Sequence, residues 1–303
     1  TQLAQNIIAS YYAGARFFEL KTVQKMDGAE LSACVNKPCI LADDEGYNCE
    51  WSTELTVPDA MSEYIKAWFI LHVMAKEFNL GAQDGFQFNI SVGYDLEGIK
   101  GDKVNTFIDG MMEAKDTAVF QECKKWLLDN ADRFHNFTRE DIEAIPSNVC
   151  NSATISTLHG CPPQEIESIA NYLLTEKHLN TFVKCNPTLL GYDFARKTMD
   201  EMGYDYMVFG DFHFRDDLQY EDAVPMLTRL MKLSEELGLE FGVKITNTFP
   251  VDVTRNELPS EEMYMSGKSL FPLSISLAAK LSEEFAGKLR ISYSGGADYY
   301  NID

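Results

Sequence analysis

The sequence predicts an α/β chain and, within that class, a (β/α)8-type barrel. Strand-like and helix-like segments alternate over nearly all of the 303 residues, the pattern of parallel strands joined by crossover helices. There are enough repeats to favour a closed barrel over an open sheet, and one such domain commonly runs to roughly 250 residues. Several of the strand-like segments end in polar or glycine-bearing stretches, as expected where strand ends converge on one mouth.

The elements follow in order. Leu3 to Ala13 reads as a helix and Phe17 to Thr22 as a strand, followed by a long loop over 24–52 that carries Pro38 and Gly46. Met61, Tyr64, Ile65, Trp68, Phe69, His72 and Met74 mark a helix face, and Phe86 to Val92 is a strand ended by Gly93. Lys103 to Glu143 is charged and helix-rich, an insertion or a long crossover. Ala153 to Leu158 is β-branched and apolar enough for a buried strand, stopped by Gly160 and the prolines at 162 and 163. Those prolines suit the first turn of a helix, where a missing N–H costs nothing. Ile166, Ile169, Ala170, Leu173 and Leu174 then fall on one face, at the spacing of a helix packed on a sheet. Further strands are expected at Thr181–Asn186, Tyr206–Phe209, Phe241–Thr246 and Leu289–Tyr293. Helices are expected near 193–202, around Met226 to Leu237 with Gly238 closing the last turn, and from Leu273 to Phe285 behind Pro272.

Composition narrows the function classes. The net charge is −21, from 47 acidic and 26 basic side chains, a balance that repels phosphate backbones and anionic membranes and argues against a nucleic-acid partner. An anionic cofactor remains compatible, because local backbone N–H groups can hold a phosphate inside an acidic protein. No run approaches the ~18 apolar residues of a membrane span, and no charged-then-apolar leader opens the chain. Thr1-Gln2-Leu3 begins inside a predicted helix, which suggests a domain excised from a longer protein. The seven cysteines (34, 39, 49, 123, 150, 161 and 185) form no C-x-x-C pair. Neither a zinc site nor an iron–sulfur cluster is supported within this segment, and reduced thiols in the cytoplasm are expected.

The candidate chemistry lies at strand ends. Cys161 sits in a Gly-Cys-Pro loop after a strand, where α/β barrels place reacting groups; its alternative is a small buried hydrophobe. Lys21-Thr22, Lys184-Cys185-Asn186-Pro187, Lys244 to Thr248 and Ser294-Gly295-Gly296 close other strands. Lysines there can stabilise negative charge on a reduced ring, or they snorkel to solvent. Asn and Thr offer directed hydrogen bonds to a planar heterocycle, and a Ser-Gly-Gly turn lets backbone N–H groups approach a phosphate. Asp211 and His213 have ligand-like spacing for a metal, although Asp216, Asp217 and the loop around them read as a solvated face. His159 either orients the thiol loop or is structural, and Trp51 and Trp68 read as packing residues. No Ser-His-Asp order, Walker loop or G-x-G-x-x-G turn is present.

These residues in this order resemble the flavin-binding barrel of dihydroorotate and dihydropyrimidine dehydrogenases. The resemblance is closest to YgfK-type proteins, labelled selenate reductase subunits. It rests on Phe18 to Gln24, Asn48 to Glu54, His159 to Pro163, Asn180 to Gly191 and Glu262 to Gly267, and it extends over essentially all 303 residues. It implies one barrel domain over 1–303 with a helical insertion near 103–143, holding FMN. By the same resemblance Lys21, Thr22 and Lys184 would contact the flavin, and Gly267, Gly295 and Gly296 would lie along its phosphate. Asn48, Asn247 and Thr248 would bind the substrate ring. Cys161 matches the cysteine that moves a proton on or off the substrate carbon. The family implies larger flavo-iron–sulfur enzymes whose other regions carry FAD, 4Fe-4S clusters and NAD(P)H, so electron-transfer domains or subunits are expected partners.

A purine- or pyrimidine-like heterocycle suits the converging Asn, Thr and Lys groups. The alternatives are a selenate or other oxyanion reductase, a degenerate barrel that scaffolds electron-transfer partners and, more distantly, a metal-dependent barrel using Asp211 and His213. Three departures from the family pattern stand out. Leu158 occupies the place of an Asn three residues before the cysteine. Seven strands are expected here while the family's first and last are missing, one too many for eight, so either Tyr206–Phe209 or Phe241–Thr246 lies outside the barrel and Lys244 is ambiguous. The chain also stops at Asp303, before the strand that normally completes the phosphate site.

Overall fold

The computed structural model describes residues 3–30, 40–42, 44–48, 55–156 and 159–302. The chain divides into two compact units, the first formed by Thr1–Glu30, Thr53–Val92 and Glu97–Ala153 and the second by Leu31–Ser52, Gly93–Leu96 and Thr154–Asp303. The division falls inside the strand Ser152–Ile155, all four residues of which are buried.

In the first unit the helix Ala4–Tyr12 buries Ala4, Ile7 and Tyr11. The strand Phe17–Glu19 runs parallel to Gln87–Val92, with Phe18 opposite Phe88, and the pairing resumes at a bridge between Val23 and Val92. The helix Val57–Glu77 starts earlier than its apolar stripe because Thr56 caps it, accepting the Asp59 N–H, and a proline occupies its first turn. The charged stretch foreseen over 103–143 resolves into the helices Asp102–Met112, Ala118–Asp129 and Arg139–Ala144, the last opened by a reciprocal Thr138–Asp141 capping box. Trp68 is a packing residue as expected: its ring contacts Phe86 and Phe88 edge-on, and its Nε1 donates to the Pro146 carbonyl at 2.9 Å. Trp51 lies outside the described residues.

His72 belongs to the same aromatic cluster, its ring 4.7 Å from Trp68 and 5.0 Å from Phe86. Burial pushes its pKa down to about 4, only partly offset by the Asp84 carboxylate. The unfolded chain would bind that proton near pH 6.5, so the stability contributed by a neutral His72 is complete above about 6.5 and is lost as the pH falls towards 4. About 3 kcal/mol is at stake, from ~1.36 kcal/mol per pH unit of displacement. Urea unfolding between pH 7 and 4 should show this slope, and His72→Phe should flatten it.

In the second unit Asn180–Cys185, Phe241–Ile245 and Arg290–Tyr293 form a parallel ladder in which Val183, Val243 and Ile291 share one row and Lys184, Lys244 and Ser292 the next. The helix Pro163–Thr175 buries the whole predicted face, Ile166, Ile169, Ala170, Leu173 and Leu174, and packs on the strand Asn180–Cys185 and on the helix Tyr220–Leu237. Gly238 closes the latter helix in the left-handed conformation at φ 69°. Tyr192–Glu201 and Phe271–Glu284 complete the large helices, the second with a proline in its first turn.

Two expectations are corrected here. Tyr206–Phe209 is not a strand, whereas Phe241–Ile245 sits inside the parallel ladder. The period-2 pattern at 206–209 is real, with Met207 and Phe209 buried and Tyr206 and Val208 exposed. It arises from side-chain packing, not from a ladder. Phe209 contacts Phe249 and lies under the Arg196 guanidinium, which also takes the Met207 carbonyl. The second correction concerns the loop expected over 24–52, which contains the short strands Ile40–Ala42 and Glu45–Asn48. With Glu262–Gly267 and Phe249–Asp252 they build a separate antiparallel sheet. Among the described residues no helix is long and apolar enough to cross a membrane.

Candidate functional site

The loop bearing Cys161 is fixed by one buried carboxylate. Asp217 Oδ2 accepts from His159 Nδ1 at 2.7 Å, Asn186 Nδ2 at 3.0 Å and Thr188 Oγ1 at 2.6 Å, while Oδ1 accepts the Gly160 N–H at 2.8 Å. Burial alone would raise the Asp217 pKa. The bonds from His159, Thr188 and Gly160 outweigh it and hold the carboxyl below its ordinary value. The solvated face expected at 216–217 is therefore correct only for Asp216; Asp217 is 4% exposed. Gly160 is required by geometry: its φ is +78°, and a Cβ there would sit 2.3 Å from Asp216 Oδ2. Thr157 and Leu158 lie outside the described residues.

Cys161 is half-buried, two residues beyond His159. The contrast with Cys150 and Cys185 is informative, since burial pushes those thiols up to about 11 and about 12 and leaves them inert. Cys185 thus behaves as the small hydrophobe that Cys161 is not. The His159 ring stacks on Tyr264 at 5.7 Å and meets the edge of His213 at 5.3 Å. His213 Nε2 bonds Glu262 at 2.8 Å, and Asp211 pairs with Arg215 at 3.0 Å. The two residues considered as a metal pair are thus engaged separately, and no metal-binding cluster occurs among the described residues.

Two lysines expected at strand ends are brought together. Lys184 and Lys244 are direct partners in the parallel ladder, with Ser292 next in the row, so they project from one face while Val183 and Cys185 are buried on the other. The ambiguity of Lys244 is resolved with that of its strand. Past the ladder the three chains stay joined: Asn247 N donates to Cys185 O at 2.8 Å, Thr246 N to Ser294 O at 2.7 Å, and Ser294 N to Ile245 O. Asn247 is buried, its Oδ1 accepting the Thr248 N–H at 3.1 Å. Thr246 Oγ1 and Ser274 Oγ share a 2.6 Å hydrogen bond; nothing in the sequence singled out Ser274.

The three glycines named from sequence meet in one corner. A Cβ on Gly296 would lie 2.5 Å from the Gly267 carbonyl, one on Gly295 would lie 2.3 Å from Ser274 Oγ, and one on Gly267 would lie 2.6 Å from the Asp44 carbonyl. All three have positive φ, at +73°, +135° and +84° respectively. The Gly295 carbonyl accepts from Tyr293 Oη at 3.1 Å and the Gly296 carbonyl from Asn301 Nδ2 at 3.0 Å. What this loop can offer an anion is its N–H groups.

Lys21 and Thr22 belong to the first unit, just past the strand Phe17–Glu19. Tyr64 Oη donates to the Lys21 carbonyl at 3.3 Å, and the Thr22 hydroxyl shares a buried 2.7 Å hydrogen bond with Ser91. Asn48 ends the strand Glu45–Asn48 opposite Tyr264, and its side chain lies outside the described residues.

Comparison with known proteins adds to this geometry. Residues 1–303 match the family model described as "Oxidoreductase YgfK, N-terminal TIM-barrel domain". The chain is 49% identical over 314 aligned positions to the protein named "Putative oxidoreductase YgfK" from Escherichia coli K12, and equally to its counterpart from E. coli O157:H7. Each alignment covers all of this chain and 30% of the relative, so the chain spans under a third of their length. A crystal structure of ligand-free dihydroorotate dehydrogenase (DHODH) from Eimeria tenella superposes with a TM-score of 0.47 at 14% identity, over 93% of this chain and 66% of that one.

Proposed function

The chain belongs to the family of N-terminal TIM-barrel domains of the oxidoreductase YgfK, and from that premise we propose that it is the FMN-binding barrel of a larger flavo-iron–sulfur enzyme. The reaction is hydride transfer to or from a purine- or pyrimidine-like heterocycle, with Cys161 as proton donor or acceptor. The observation that carries the reading is the glycine corner. Gly267, Gly295 and Gly296 bring three backbone segments closer than any side chain would permit, and Gly295 and Gly296 directly follow the strand Arg290–Tyr293 that neighbours the Lys184–Lys244 row.

These residues fit the group. The N–H groups of Gly295 and Gly296, with Gly267 and the Thr246–Ser274 hydroxyl pair beside them, would hold the phosphate. Lys184 and Lys244 would face the electron-rich side of the ring system. FMN bound there would supply the hydride chemistry. Asn247, Thr248 and Asn48 would orient the substrate ring, and Cys161 would exchange the proton at its carbon. FAD, 4Fe-4S clusters and NAD(P)H belong to the remainder of the longer family protein and would feed electrons to this domain. A reducing compartment, the cytoplasm, suits a working thiol at Cys161.

The paired lysines also favour a second reading, reduction of an oxyanion such as selenate. Reoxidation of the reduced protein by ring compounds or by selenate separates the two. The first test is to purify the full-length protein, release its cofactors and identify them by mass. FMN beside FAD is expected. FAD alone would refute a flavin in this barrel and leave it a scaffold for electron-transfer partners.

A further inference from the structure

We infer that Asp217 is a positioning residue for Cys161, acting through His159 and Gly160, and that it fixes His159 with its ring proton on Nδ1 and a lone pair on Nε2. Only the role of the thiol rests on the reading above; the placement of the loop does not. Two of the four donors to Asp217 are the residues that immediately precede Cys161. The other two, Asn186 and Thr188, follow the strand Asn180–Cys185, so one carboxylate ties the thiol loop to a neighbouring strand end. Gly160 has a φ of +78°, a conformation that side-chain-bearing residues rarely adopt, and a Cβ there would meet Asp216 Oδ2 at 2.3 Å, so the turn before Cys161 calls for glycine.

The tautomer follows from the neighbours of the ring. Nδ1 has Asp217 Oδ2 at 2.7 Å and Asn186 Nδ2 at 3.3 Å, and the shorter contact is to an acceptor-only carboxylate, so Nδ1 carries the hydrogen. Nε2 is buried and has no hydrogen-bond partner among the described residues. The His159 side chain is 10% exposed and that of Asp217 1%. An unpaired buried acceptor costs about 1–3 kcal/mol; His72 Nε2 carries the same cost inside its aromatic cluster, whereas the unpartnered Nε2 of His159 lies in the network that anchors the Cys161 loop. Neighbouring rings do not fill the gap: Tyr264 presents its face, and His213 commits Nε2 to Glu262. A carboxylate that orients an imidazole through Nδ1 and leaves Nε2 as a base is the arrangement by which His–Asp pairs serve proton-transfer sites.

The test is the alkylation of Cys161 by iodoacetamide in the full-length protein as a function of pH, read by peptide mass spectrometry so that the other cysteines do not contribute. Among the described residues, the charged and titratable groups seen around His159 and its loop include Asp217, Asp216, His213, Glu262 and Tyr264. Asp217→Asn keeps the shape and removes the charge; His159→Gln keeps a donor to Asp217 and removes the base. Both should change the Cys161 rate by roughly tenfold or more and move the midpoint of its pH profile, a shift of one pH unit corresponding to a tenfold change in thiolate fraction. If Asp217→Asn does not fold, His159→Gln, which leaves three of the four bonds to Asp217 in place, decides alone. Folded variants with the wild-type rate and midpoint would overturn the inference and make the network structural. Because the readout needs neither flavin nor substrate, absence of FMN would sink the proposed function without touching this result.

Discussion

Cys161→Ala is expected to slow ring-substrate turnover by about 10²- to 10⁴-fold, the usual range for removing a positioned general acid or base. Melting temperature and bound flavin should stay at wild-type values. The loop is held by Asp217 through His159 and Gly160, two residues and one residue before Cys161, so the thiol itself contributes little to the fold. Cys161 is also only half-buried, so its truncation leaves no sealed cavity in the core. Cys161→Ser should recover little, because a hydroxyl is a far weaker acid than a thiol. Stopped-flow reoxidation of the reduced protein by a ring substrate gives the rate directly. Undiminished turnover in the alanine variant would remove the proton-transfer role.

Gly296→Ala should strip the protein of FMN, lowering retention at least tenfold after gel filtration, and should lower the melting temperature as well. A Cβ at this position would stand 2.5 Å from the Gly267 carbonyl and 2.9 Å from the Lys268 Cα, both backbone atoms that cannot swing aside. The positive φ alone costs a non-glycine residue about 1–3 kcal/mol. Gly203→Ala separates the two effects, because its φ is +87° and nothing lies within 4 Å of the added Cβ. The control should lose stability and keep its flavin. Equal loss of flavin in both variants would count against the glycine corner as a phosphate site.

Much of this organisation is legible in the chain. The apolar face of Pro163–Thr175 was readable residue by residue because a helix on a sheet repeats every three or four positions. Gly295 and Gly296, legible as a Ser-Gly-Gly strand end, and Gly267, named only through the family resemblance, do meet in space. The barrel class is that of the family to which the chain belongs. The strand expected at Tyr206–Phe209 misled because alternating burial also arises where Phe209 packs between Phe249 and Arg196, while the segment takes a backbone bond from Asp252 N–H to the Val208 carbonyl without being part of a strand.

What the sequence determined by itself was local: the periodic faces, the proline-started helices, the glycine stops and the thiol set just before a helix. Tertiary structure alone decided the partnerships. Asp217 lies 58 positions from His159 in a stretch rich in charge, and only folding converts it from a seemingly solvated residue into the anchor of the Cys161 loop. The antiparallel sheet was equally hidden, since Glu45 finds its partner at Gly267 across most of the chain. Periodicity records which side of an element is apolar. It carries no information about which distant donor will reach a buried carboxylate, because that is set by how the strand ends are brought together.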